Sequence, residues 1–114
     1  MQRQVNFAAL TALLALGGCA QSANSIMPQY VSDLPYKQLT CEQIAEERAQ
    51  ISGALTTASM QQEQARSNDV AGIIFVGLPL GSMSGQNVAP MISLYKGQQA
   101  ALDRQLRLKS CGRI

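Results

Sequence analysis

Three cysteines, Cys19, Cys41 and Cys111, carry most of the chemistry this chain can offer. A thiol can be acylated, alkylated or oxidised to a disulfide, and its reactivity follows its thiolate character. The chain has no histidine, so the commonest general base and the commonest transition-metal ligand are both missing. Glu46 and Glu47 are neighbouring carboxylates, but adjacent residues on a helix point apart and cannot share a proton or a metal. No nucleophile–base pair stands out, and the ligands are too few for a zinc site. These residues predict a non-enzymatic protein with no catalytic residue, no metal, no cofactor and no small-molecule substrate.

The chain of 114 residues has room for at most one small domain. Two phenylalanines, three tyrosines and no tryptophan leave little bulk for a deep core, and domains with thin cores need a staple or self-association to remain folded. A formal charge of +2 is too slight to imply nucleic acid as a partner.

At the N-terminus, Arg3 and the amino group make a short positive region, and Val5 to Leu16 follows as a mostly apolar run. About twelve apolar residues suit the core of a signal peptide, whereas a membrane-spanning helix needs roughly twenty. The run ends in Leu16-Gly17-Gly18-Cys19, which resembles the bacterial lipobox. The resemblance implies cleavage before Cys19 and covalent diacylglycerol and acyl groups on that residue. It also implies export and a lipid anchor in the membrane. Ala20 rather than aspartate follows the cysteine, which by analogy with the sorting rule of enteric bacteria favours the periplasmic face of the outer membrane. Residues 1–18 are then a signal peptide that is removed. Residues 19–39, with Pro28 and Pro35, read as a flexible, extended tether that holds the domain off the bilayer.

Residues 40–114 are expected to form the folded domain. Leu39-Thr40-Cys41-Glu42-Gln43-Ile44 has the residues of a capping box and a hydrophobic staple, with acidic side chains at the positive end of the helix dipole. Ile44, Ile51, Leu55, Ala58 and Ala65 then mark a narrow apolar stripe, interrupted by Arg48 and Gln62. After Asn68-Asp69 comes an uncharged apolar stretch containing Gly72, Ile73, Ile74, Phe75, Val76, Gly77, Leu78, Pro79, Leu80, Gly81 and Gly85. Pro79 should end or kink the helix, and the Gly- and Ser-rich residues to Ala89 suit a turn. The Gly77, Gly81, Gly85 spacing resembles a glycine zipper, although Pro79 inside it argues against a regular zipper helix. Such a tip can pack on itself or a second copy, dip into a membrane, or dock in an apolar groove of a partner.

Pro90 suits the first turn of a second helix capped by Asn87 or Ala89. Ile92, Tyr95, Leu102 and Leu106 supply its apolar side, with Gln99 on the same seam. Arg104, Arg107 and Lys109 complement its negative end, and Gly112 is a candidate C-cap. Cys41 and Cys111 lie equally far, 35 residues, before and after Val76, a symmetry that fits a hairpin with a covalently closed base. Once Cys19 is assigned to lipid, these two cysteines remain to pair in an oxidising compartment.

The segment 34–47, LPYKQLTCEQIAEE, is similar to the start of many small uncharacterised proteobacterial lipoproteins, which share a tether, a Tyr-x2-Leu-x-Cys opening, two helices around an apolar Gly-containing middle, and a late cysteine. The expected fold is therefore all-α, an antiparallel helical hairpin with a coiled-coil seam and an apolar Gly-rich tip. The expected function is that of an envelope lipoprotein with a structural or protein-interaction role, through an envelope partner or self-association. The alternative is a membrane-active protein whose tip inserts into lipid.

Overall fold

The computed structural model describes residues 19–112. The signal-peptide expectation for 1–18, including Leu16, Gly17 and Gly18, lies outside the described residues. Helix α1 runs Cys41–Val76, a single turn α2 covers Leu80–Met83, and α3 runs Ala89–Leu108. Two 3-10 turns, Ala23–Ser25 and Leu34–Tyr36, precede them, and no strand occurs among the described residues. Helices α1 and α3 pack as an antiparallel hairpin in a body 68 × 30 × 20 Å across.

Local chemistry sets the limits of α1. The Thr40 hydroxyl accepts from the Gln43 amide at 3.1 Å, and the Gln43 side chain accepts from the Thr40 amide at 2.9 Å, completing the expected capping box. At the far end Gly77 adopts φ 75°, a left-handed conformation that glycine reaches without a Cβ clash. Its amide and that of Leu78 return to the carbonyls of Ile73 and Gly72, so carbonyls at the helix end find donors. Pro79 follows directly. The 36 residues of α1 make a rod about 54 Å long.

The seam of α1 is more regular than its apolar residues alone reveal. Positions 44, 48, 51, 55, 58, 62, 65, 69 and 72 follow steps of four and three without a break, which keeps them on one side of the helix. Ile44, Ala58, Gln62, Ala65, Asp69 and Gly72 are all buried. The two supposed interruptions are thus matched members of the seam. Arg48 reaches Asp103 of α3 at 2.6 Å, a half-exposed pair that contributes about 0.2–1 kcal/mol. Gln62 is fully buried and hydrogen-bonded.

The segment expected to be a tether is laid along the hairpin instead. Ala20, Ala23 and Ile26 are buried, and the last two join Ala58 and Ile92 in the principal apolar cluster. The physical reason is the small size of the seam residues: two helices meeting through alanine leave a groove that a third segment can fill. An extended chain in such a groove must find donors for its carbonyls. Side chains of α3 supply them. Lys96 donates to Ala23 and Ile26, Ser93 to Met27, Arg104 to Val31, and Lys109 to Lys37 and Leu39. Arg104 also lies over the Tyr30 ring, 5.6 Å from its centroid. Arg104 and Lys109, expected to serve the helix dipole, hold this strap. Residues 20–39 thus run from the turn end of the hairpin to its base before entering α1.

At the base, Cys41 and Cys111 are disulfide-bonded with their Cα atoms 5.5 Å apart. Closing a loop across a separation of 70 residues removes about 4 kcal/mol of unfolded-state freedom in the chain-entropy model. Two cap expectations change. Val88 occupies the N-cap of α3 without a side-chain bond, while Asn87 Oδ1 accepts from the Ala89 amide at 3.2 Å. Helix α3 ends at Leu108 with Lys109 as its C-cap, before Gly112.

Candidate functional site

Chemistry gathers at the turn end of the hairpin. Asp69 is buried on the α1 seam, and its carboxylate joins separate parts of the chain. Oδ2 accepts from the Ala20 amide at 2.7 Å and from the Ser82 hydroxyl at 2.6 Å. Oδ1 accepts from the Ser82 amide at 2.7 Å. Burial pushes the carboxyl up, but the bonds from Ser82, Ala20 and the Gly81 backbone outweigh it and hold Asp69 below the usual carboxylate value. An ionised carboxylate is acceptor-only, so it suits a site surrounded by N–H and O–H groups.

Two turns earlier on the same seam, Gln62 acts in parallel. Its amide nitrogen donates to the Gln21 carbonyl at 2.9 Å and to Asn87 Oδ1 at 3.1 Å, while its oxygen accepts from the Val88 amide at 2.7 Å. Glu63, on the surface beside it, accepts from the Ala23 amide at 2.8 Å and the Ser22 hydroxyl at 3.1 Å, which hold its carboxyl below the ordinary value. The strap, α1 and the α2–α3 segment are therefore bound together by polar side chains at this end.

Outside this polar joint the surface is apolar. Phe75 is 83 % exposed and Ile74 71 %. Val76, Leu78, Leu80 and Met83 are also exposed. An open groove between the end of α1 and α2 is lined by Ala71, Gly72, Phe75, Val76, Leu80 and Gly81 together with polar Asn68 and Ser84. Residues 70–95 carry no charge. Of the expected tip residues, only Gly72 and Gly81 are buried, and the self-packed form of the tip is not what the chain adopts. Gly81 lies so close to Ala65 that a Cβ would overlap the Ala65 backbone. Gly77 and Gly85 instead occupy positive-φ positions, so the regular glycine spacing does not build one zipper face.

Asp69, Ser82 and the Ala20 amide form a unit not expected from the sequence. The available signal was the step of seven from Gln62 to Asp69, which places both on the seam. Cys19 is half-buried and directly precedes the clamped Ala20. Among the described residues, no helix is long and apolar enough to cross a membrane, and no cluster of three or more His, Cys, Asp or Glu residues is placed to hold a metal ion. No known protein family, curated protein or solved structure matches this chain.

Proposed function

We propose that this chain is a non-enzymatic bacterial envelope lipoprotein with a structural or protein-interaction role. It is exported, acylated at Cys19 and held at the periplasmic face of the outer membrane. The observation that carries the reading further than the sequence is the bond from the Ala20 amide to buried Asp69. It sets the residue next to the anchor at the apolar end of a stiff hairpin, so the disulfide end projects away from the bilayer. An α1 rod of about 54 Å then carries its base, with exposed Glu42 and Glu46, into the aqueous space, where an envelope partner can reach it.

Mass spectrometry of the chain purified from a lipoprotein-processing bacterial host tests the anchor. The expected mass is that of a chain beginning at Cys19 plus acyl groups, and Cys19→Ser should remove both cleavage and acylation. An unacylated chain would end the lipoprotein reading. Photo-crosslinkers at Glu42 and Glu46 in cells test the partner role, for which discrete adducts at the base are expected.

A further inference from the structure

The apolar end and the start of the described chain coincide, although more than fifty residues separate them in sequence. Ala20 is fixed to Asp69, and Asp69 holds Ser82 of α2, while α2 and the end of α1 carry the exposed apolar side chains. Whatever is attached at Cys19 must therefore begin beside that surface. Before processing it is the apolar run Val5–Leu16; after processing, on the lipoprotein reading, it is acyl chains. Both belong in lipid.

We infer that Ile74, Phe75, Val76, Leu78, Leu80 and Met83 seat in the lipid bilayer beside the Cys19 anchor, so that the hairpin stands on the membrane at two points instead of swinging from one. The inference deepens the proposed function and rests on its anchor. Charge placement sets the depth. Arg66 precedes Phe75 by nine residues, about 14 Å along the helix axis, and Glu63 lies a further turn down. From those charges to the tip, the described residues of this end are uncharged except for Asp69, whose carboxylate is buried and satisfied. Interfacial elements bury their apolar faces by about 5–10 Å, which this end can do without submerging Arg66. Fixing Ala20 also removes the slack that a free tether would leave between anchor and domain.

The chain contains no tryptophan, so one introduced residue is a clean reporter. Phe75→Trp keeps an aromatic side chain at an exposed tip position; Met60→Trp, exposed about 22 Å lower on α1, is the reference. Both variants, purified after export and processing, are reconstituted into phosphatidylethanolamine–phosphatidylglycerol vesicles with and without brominated acyl chains. The expected result is a blue shift and bromine quenching for Phe75→Trp and neither for Met60→Trp. Aqueous emission from Phe75→Trp in a chain shown by mass to be acylated overturns the inference and leaves the anchor standing. A concentration-dependent blue shift without vesicles, accompanied by a dimer mass, overturns it in favour of a second copy. Quenching of Phe75→Trp in an unacylated chain overturns the two-point attachment and leaves insertion of the tip alone.

Discussion

At the base of the hairpin, Cys41 and Cys111 are joined covalently, α1 begins in a capping box, and Lys109 closes on the strap. At the turn end no covalent link occurs among the described residues. Buried Asp69 and Gln62 hold the strap, α1 and the α2–α3 segment through hydrogen bonds, while Phe75 and Ile74 face outward. The base follows the usual arrangement, with fully buried Ile44 inside and charge outside. The turn end reverses it, with carboxylate and amide inside and apolar side chains outside. A buried polar joint tolerates an apolar exterior because it does not rely on those side chains to close the fold. They are left for contact with something other than water.

The largest expected effect is at the base. Cys41→Ser with Cys111→Ser should lower stability by about 4 kcal/mol, read as a lower urea midpoint. If the two ends are held independently, amide protection at Ser82 and Val88 should outlast protection at Ile44 in this double variant.

Asp69→Ala attacks the other end. It leaves the Ala20 and Ser82 amides without their acceptor, at a cost of about 1–3 kcal/mol for each group that stays buried. The measurement is limited proteolysis, with new cleavage within 20–26 and 80–86 while the disulfide remains intact. Acid should imitate this change. The folded carboxyl lies below its unfolded value, so its contribution is complete above about pH 4 and is lost as pH falls through the lower folded value. Asp33, on the strap beside Gln105, shifts in the same direction. Hydrogen exchange at Ala20 in wild type and Asp69→Asn therefore isolates the Asp69 part, which the variant should lack.

A smaller effect is expected where backbones touch. A Cβ on Gly97 would overlap the Gln29 carbonyl and crowd Val31, so Gly97→Ala should lift the strap at a cost of about 1–3 kcal/mol. Trypsin should then cut more readily at Lys37 and Lys96. Gly53 has nothing near its would-be Cβ and lies exposed within α1, so Gly53→Ala should stabilise the chain by about 0.5–1 kcal/mol. The contrast in thermal midpoint between these glycine variants separates strap contact from helix propensity.

Much of the fold was legible because it depends on near neighbours. Thr40 and Gln43 cap one another across three residues, Pro79 limits α1, and the spacing of Ile44, Ala58 and Ala65 marks its inner face. The Cys41–Cys111 pairing agrees with the symmetry about Val76. Less of the candidate site could be read. The apolar character of 70–85 was visible, but whether those side chains turn inward depends on what fills the groove. Asp69 resembled the polar end of a helix, because its partners lie 13 and 49 residues away.

The amino-acid sequence by itself determined the two long helices, the capped start of the first and the uncharged stretch between them, since periodicity, capping and backbone restriction act within a few residues. Only the tertiary structure decided that residues 20–39 form part of the packed body and that Cys19 lies at the apolar end. A strap has no periodic signature of its own. Its place is set by a groove that Ala58, Ile92 and Gly97 form only after α1 and α3 have met, and by donors from Lys96, Arg104 and Lys109 that reach its carbonyls only there.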